Sequence, residues 1–349
     1  MNILFITRKY PPSIGGMETW SAKTLNQLNI SYNVTAGIMW QDKNRVLHVV
    51  RLLFFISRWT VFALFHQKRY DKIILGDVLL WPVGLMTNKS TTIAIHGKDM
   101  SILASGSLVV GLYKIYLKFF RWLRPKVALL ANSTATSNAS ANFFSRNEIS
   151  TCSLGVDLHP VPHYPEPLPY IIYYGRVMQR KGALWFAEQV LPHLHESLTL
   201  KVIGPEWEKP YFDRLVKCDR VEYAGVFQSG IDDPQLRSLI ASAVCCILPN
   251  RPMLSEASDI EGFGLVALEL ASYNPSVIAS NLDGFRESII DGVTGFLVDP
   301  ESANAWVQAV ERSRKEPLAD RASRLMRSRD VLARSFGWDS YMQHLLAMQ

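Results

Sequence analysis

Apolar residues in this chain fall into short unbroken runs, separated by longer stretches where they recur every three or four positions. Met1–Thr7, Asn33–Ile38, Lys72–Leu75, Thr91–Ile95 and Val127–Ala131 are runs of the first kind, and helical periods lie between them. The alternation restarts with short runs at Tyr170–Tyr174, Thr199–Ile203, Val221–Tyr223, Val244–Leu248, Ser276–Ala279 and Phe296–Val298. A strand that is apolar at every position is buried on both faces, as in parallel sheets covered by helices. The pattern predicts two doubly wound α/β halves, with a helical segment from Ala303 to Gln349 at the end.

Between the halves lies VDLHPVPHYPEPLP, Val156–Pro169, with five prolines in the ten residues from Pro160. Proline breaks helices and has no N–H for a ladder, so this stretch is expected to be a linker, neither helix nor central strand. The domains expected are 1–160, 161–335, and a C-terminal helix, 336–349, that returns to the first domain.

Composition narrows the class. Of 349 residues, 48% are hydrophobic and 19% charged, enough to bury a core in each half and too apolar for a disordered chain. The net charge of +6 hides a split: residues 1–165 carry 18 basic and 7 acidic side chains, and residues 166–349 carry 19 and 24. A basic first half suggests a face that meets something anionic: nucleic acid, a phosphorylated metabolite or lipid headgroups. The cysteines, Cys152, Cys218, Cys245 and Cys246, form no C-x-x-C, which argues against a disulfide framework or zinc site and fits a reducing, cytoplasmic compartment. The apolar run Ile3–Ile6 is too short for a signal peptide. Val46–Phe65 is interrupted by His48, Arg51 and Arg58, short of the ~18 uncharged residues a spanning helix needs. The expectation is a chain that does not cross a membrane, with room for one that lies on it.

Ligands of doubly wound sheets bind beyond the carboxyl ends of the strands, so the loops there hold the candidates. In KYPPSIGGMETW, Gly15 and Gly16 open a helix whose N–H groups suit phosphate, although G-G is not the G-x-G-x-x-G fingerprint of dinucleotide enzymes. His96, at a strand end before Gly97, reads either as a core histidine or as a catalytic one. In YYGRVMQRKGAL, Arg176 and Lys181 flank a loop that leads into a helix at Gly182; two cations there form a diphosphate clamp or, alternatively, a solvated basic loop. In DIEGFGLVALELAS, Glu261 precedes Gly262-Phe263-Gly264, which open a helix to about Ala271. Glu269 lies eight positions after Glu261, ~12 Å if the rise is helical throughout. Such carboxylates can hold sugar and ribose hydroxyls on either side of a phosphate bound by amides. They also read as an exposed helix residue and a charge complementing a helix dipole.

Together these elements resemble the retaining glycosyltransferases of the GT-B fold, family 4 (glycosyl transferases group 1). The E-x7-E signature matches Glu261 and Glu269, and G-R-x4-K-G matches Gly175, Arg176, Lys181 and Gly182. The Gly-Gly loop, His96-Gly97-Lys98-Asp99, Ala131–Ser133 and Gly155–Asp157 follow in the order of that family. The stretch Leu248–Ile260 is similar to bacterial phosphatidylinositol mannosyltransferases and polysaccharide-assembly enzymes. The resemblance implies two Rossmann-like domains facing a cleft and transfer of a sugar from a nucleotide-diphosphate sugar to a lipid-linked or polysaccharide acceptor, such as lipopolysaccharide or exopolysaccharide. It implies that Arg176 and Lys181 neutralise the leaving diphosphate and that Glu269 holds the ribose. Glu261 would touch the donor sugar, and amides at Gly264, Leu265 and Val266 phosphate or sugar. Gly15 and Gly16 would admit the donor, and His96 would contact sugar or steady the transition state. It further implies neither metal nor other cofactor, which agrees with the lack of a D-x-D motif.

The basic surplus has its own pattern. RLLFFISRWTVFALFHQKR mixes bulky apolar groups with cations, and LVVGLYKIYLKFFRWLRPK places Lys114, Lys118 and Arg121 at i, i+4 and i+7, with Phe119, Phe120 and Trp122 beside them. This suits a peripheral position on an anionic membrane, the inner face of the plasma membrane in a cytoplasmic protein, and equally a helix packed on the sheet. The competing functional reading is a catalytically inactive scaffold that binds nucleotide or membrane. Nucleic acid is the weakest partner, because the basic residues are scattered among apolar ones.

Overall fold

A computed structural model describes residues 1–13, 15–39, 45–97, 99, 108–123, 126–141, 143–144, 148–160, 165–227, 230–252 and 263–348. Glu261, Lys98, positions 161–164 of the proline-rich stretch and most of Leu248–Ile260 lie outside the described residues. The apolar runs become two separate six-stranded sheets, with every neighbouring pair of strands parallel. The chain divides into two units: one is built from Met1–Gly155 and Trp338–Gln349, the other from Val156–Ser255 and Gly264–Gly337.

In the first unit the strands are β1 (Asn2–Thr7), β2 (Asn33–Ile38), β3 (Lys72–Leu75), β4 (Ser90–Ile95), β5 (Ala128–Ala131) and β6 (Ile149–Thr151), in the order β2-β1-β3-β4-β5-β6. Ile3, Leu4, Phe5 and Ile6 are all fully buried, so β1 is covered on both faces. One face carries α1 (Gly16–Ser31) and the C-terminal α13 (Trp338–Ala347), joined where Trp20 Nε1 donates to the Tyr341 hydroxyl at 2.7 Å. The other core holds side chains of α2 (Arg45–His66), α3 (Trp81–Leu85) and α4 (Leu108–Leu123), with Phe55, Trp59, Trp81, Leu117 and Phe120 in one cluster. Trp59 seats α2 on edge strand β2: a Cβ on Gly37 would come within 2.4 Å of its ring. A short α5 (Thr134–Ser140) is capped by Ser133 Oγ, which accepts the Thr136 N–H at 2.9 Å.

In the second unit the strands are β7 (Leu168–Tyr174), β8 (Thr199–Ile203), β9 (Val221–Tyr223), β10 (Ala243–Leu248), β11 (Val277–Ser280) and β12 (Phe296–Val298), ordered β12-β11-β10-β7-β8-β9. The helices are α6 (Ala183–Gln189), α7 (Lys209–Leu215), α8 (Pro234–Ser242), α9 (Leu265–Ala271), α10 (Asp283–Ser288), α11 (Ala303–Lys315) and α12 (Leu318–Ser335). Trp306 and Val310 of α11 are fully buried in this core. Arg321 of α12 is also fully buried, and donates to the Ala243 and Ser313 carbonyls, Asn274 Oδ1 and Ser276 Oγ.

Four readings of the pattern change. Pro169 lies inside central strand β7 and not in a linker; it precedes the regular ladder, opposite a register shift between Ala243 and Cys245, where a missing N–H breaks no pairing. Strand β6 has no counterpart in the pattern, because its three residues, Ile149, Ser150 and Thr151, make no apolar run. The helix after Gly264 begins only at Leu265, so the spacing from position 261 to Glu269 is not a helical distance. Finally, Leu47–Arg69, 23 residues that include an 18-residue stretch of mean hydropathy 1.5, is long and apolar enough to cross a membrane. Arg51 and Arg58 interrupt the run as sequence, but seven positions apart they share one side of the helix.

Candidate functional site

In the second sheet the strand order reverses between β7 and β10, which marks the place beyond their carboxyl ends where ligands bind. The loop after β7 starts at Gly175, whose N–H donates to the Ile203 carbonyl at 2.9 Å. Tyr173 Oη donates to the Arg176 carbonyl at 2.6 Å and fixes the loop from within the sheet. The half-buried Arg176 places its guanidinium 4.8 Å from the centre of the Trp207 ring, a cation–π contact. Lys181, also half-buried, closes a 3-10 turn, Gln179–Lys181.

Gly182 follows with φ of 74°, and a Cβ there would lie 1.8 Å from the Pro249 carbonyl oxygen. Only glycine lets the β7 loop reach the backbone after β10. The Arg251 N–H donates to the Arg180 carbonyl at 2.8 Å and completes that junction. Gly264, with φ of 75°, is the N-cap of α9 and packs where a Cβ would meet Phe285 at 2.7 Å. First-turn amides of a helix have no acceptor within it, and here these include Leu265 and Val266. Glu269 stands half-buried on α9. Burial, then the charges of Glu269 and Asp232, hold the Tyr174 hydroxyl above its ordinary pKa, which marks Tyr174, the last residue of β7, as a neighbour of Glu269.

The first sheet carries a second cluster at its strand ends. Arg8 follows β1, Asp77 follows β3, and His96 and Asp99 follow β4. Arg8 Nε lies 2.8 Å from Asp77 Oδ2, and its Nη2 lies 3.6 Å from Asp99 Oδ1. Burial opposes the Arg8 charge, but the two carboxylates more than offset this and raise its pKa. Burial and then Asp77 push the Asp99 carboxyl up to about 7, against the pull of Arg8.

His96 is buried, with Trp20 edge-on at 4.8 Å between ring centres. Its Nε2 lies 3.1 Å from the Gly76 carbonyl, and a carbonyl only accepts, so Nε2 carries the proton. Burial lowers its pKa to about 4, against Asp77 and the Gly76 bond, so the ring is neutral near pH 7. In the Gly15-Gly16 loop, Gly15 is the N-cap of α1, and a Cβ there would meet Glu18 Oε2 at 2.5 Å.

Arg176 and Lys181 thus lie in the loop after β7, and Gly264, Leu265, Val266 and Glu269 at or on α9, the helix that precedes β11, within the second unit. Gly15, Gly16 and His96 belong to the strand ends of the first. Tyr174, Trp207 and the Arg8–Asp77 pair did not emerge from the motifs, though each lies at or just after a strand end or in the adjoining loop. Among the described residues, no group of three or more His, Cys, Asp or Glu could hold a metal ion.

Residues 168–315 match the family described as Glycosyl transferases group 1. A glycogen synthase of Mycobacterium tuberculosis is 30% identical over 174 residues, 49% of this chain and 39% of that protein. A D-inositol 3-phosphate glycosyltransferase of Xylanimonas cellulosilytica is 32% identical over 187 residues, 50% of this chain and 40% of that protein. The chain therefore spans about two fifths of the length of these relatives. Among solved structures, HepE of Anabaena, crystallised with UDP and glucose, aligns with a TM-score of 0.71 at 16% identity, covering 99% of this chain and 98% of that one. WaaG, a glycosyltransferase involved in lipopolysaccharide biosynthesis, aligns at 0.68 with 12% identity, covering 99% of both chains. The fold is GT-B: two Rossmann-like α/β domains.

Proposed function

We propose that the chain is a retaining glycosyltransferase that moves a sugar from a nucleotide-diphosphate sugar to a lipid-linked or polysaccharide acceptor. The observation that carries this reading is the junction after β7 and β10, where Gly182 brings the Arg176–Lys181 loop onto the backbone at Pro249. That junction falls within the residues matched to the group 1 glycosyl transferases, and the aligned HepE was crystallised with UDP and glucose. In this reading Arg176 and Lys181 meet the negative charge that grows on the departing diphosphate, and the amides of Gly264, Leu265 and Val266 hold its oxygens. Donors aimed in advance at growing charge are the largest single term in many active sites. Glu269 holds the ribose hydroxyls and Glu261 the donor sugar. Gly15 and Gly16 leave room at the helix start of the first unit. His96, neutral and bound to Gly76, fixes the strand ends and supplies no proton near pH 7. The acceptor proton passes to the leaving phosphate oxygen on the same face, which retains configuration.

A screen of nucleotide sugars by thermal stabilisation tests the first step. A ligand at 100 times its Kd adds about 2.7 kcal/mol to stability. The expected result is that one nucleotide sugar raises the melting temperature and is consumed when acceptor is added. If no nucleotide sugar stabilises the protein, the reading fails. An inverted linkage in the product rejects retention alone.

A further inference from the structure

The outer faces of α2 and α4 present an unusual surface. On α2, Phe55, Trp59 and Ala63 point into the core of the first unit. At 100° per residue the opposite side carries Val50, Phe54, Val61 and Phe65, and these are 57%, 68%, 54% and 75% exposed. The helix is apolar on both sides, a pattern that belongs to helices buried all round or in contact with lipid. On α4, Leu117 and Phe120 face the core, while Leu112, Ile115, Phe119 and Trp122 form a stripe exposed by 51% or more. Phe120, grouped with Phe119 and Trp122 in the sequence, is thereby a core residue, edge-on to Trp81 and Phe144. Lys114, Lys118 and Arg121 run along one border of the α4 stripe by the same helical geometry. Both helices pack into one core cluster, so their exposed sides belong to one face of the first sheet.

Charge identifies what covers this face. Residues 43–70 and 100–147 contain 12 basic and no acidic side chains, and the rest of residues 1–165 contains 6 basic and 7 acidic. The whole positive surplus of the first half therefore lies in the two segments that carry the exposed apolar stripes. We propose that α2 and α4 form an interfacial surface that docks on an anionic lipid bilayer, with Phe54, Phe65, Phe119 and Trp122 inserted and the cations at headgroup level. A second copy of the chain fits less well, because an isologous contact would set these cations against one another. A spanning α2 would have to strip Phe55 and Trp59 from the core.

Flotation of the full chain with vesicles tests the proposal, with no sugar donor present, so its failure leaves the transfer reading untouched. The chain should float with mixed phosphatidylcholine–phosphatidylglycerol vesicles, less so as salt rises, and remain unbound with phosphatidylcholine alone. Phe54→Ser, Phe65→Ser and Trp122→Ser together should weaken binding at least about tenfold. Lys114→Ser, Lys118→Ser and Arg121→Ser together should weaken it about 10²-fold, at about fivefold per cation near an anionic surface. Quenching by brominated lipid, compared between wild type and Trp122→Phe, reports insertion without relying on the triple variants. Wild type that fails to float, serine variants that float equally, or a dimer that the apolar variant abolishes while vesicles go unbound would each overturn the proposal.

Discussion

The strand ends of the two sheets use charge in opposite ways. In the first unit Arg8 is only 14% exposed in its side chain and spends its charge inward, on Asp77 and Asp99. His96 beside them is neutral and bound to a backbone carbonyl. In the second unit Arg176 and Lys181 are half-buried, and Arg176 rests on the face of an aromatic ring. One architecture thus yields a closed cluster that neutralises itself and an open one in which a ring face orients Arg176. A buried cation is stable only with partners, whereas a binding cation must be oriented without being neutralised.

The largest effect should come from breaking the closed cluster. Arg8→Met leaves Asp77 and Asp99 buried without their cation, and losing one partner of a buried pair costs about 3–5 kcal/mol. Denaturant unfolding should show that loss at pH 8 and a smaller one at pH 5, where Asp99 takes up a proton. Unchanged stability would mean that the cluster is no more self-contained than the other.

Next in size, Lys181→Ala should lower turnover by ~10²–10³ while the unfolding midpoint stays near wild type, since in the proposed role its charge acts as the diphosphate leaves. Glu269→Ala should instead raise KM with kcat nearly unchanged, because in the proposed role its ribose contacts exist before and during transfer. Steady-state kinetics separate the two. A destabilised Lys181→Ala protein would place Lys181 with Arg8 as a structural cation.

The closed cluster also makes a prediction about pH. His96 titrates near 4 in the folded protein and near 6.5 unfolded, so the unfolded chain binds more protons between those values and stability rises with pH there, on the order of 3 kcal/mol. Asp99 runs the other way: its folded pKa of about 7 exceeds the ordinary 3.8, so the folded state binds more protons and stability falls as pH rises from about 4 to 7. The two slopes oppose each other in wild type. Asp99→Asn should remove the second, and its stability should rise from pH 4 to 6.5 more steeply than wild type. Parallel profiles would show that Asp99 carries no raised pKa.

Much of this organisation is legible in residue order, and some is not. The run Lys72–Leu75 coincides with β3 and Val244–Leu248 falls within β10, both buried at every position, because a strand covered on both faces has to be largely apolar. Gly182 before an apolar helix announces the turn at the β7 loop. The Arg8–Asp77–Asp99 cluster is invisible by comparison: 69 and 22 positions separate its members, and only the order β1-β3-β4 brings them together. The second face of α2 is hidden for a different reason. An apolar run reveals that a helix has much to bury, not that one side remains exposed after the core is full.

The smallest effect concerns how the open cluster orients its cation. Arg176 has the Trp207 ring 4.8 Å away, and Trp207 is 52% exposed. An exposed cation–π contact is worth about 0.5–1 kcal/mol. Trp207→Ala should therefore weaken binding of the nucleoside diphosphate of whichever donor stabilises the wild type by about two- to fivefold in calorimetry, with no change in melting temperature. Trp207→Phe should recover most of the loss, because a ring face remains while the indole N–H does not. An ion pair in that position would hold Arg176 more firmly but would already satisfy the charge that the diphosphate needs. Ring stacking orients the guanidinium and leaves that charge in place, so a loss with Ala and recovery with Phe would identify orientation as what the ring contributes. Equal binding in all three proteins would mean that the loop after β7, held by Tyr173 Oη at the Arg176 carbonyl, positions the cation unaided.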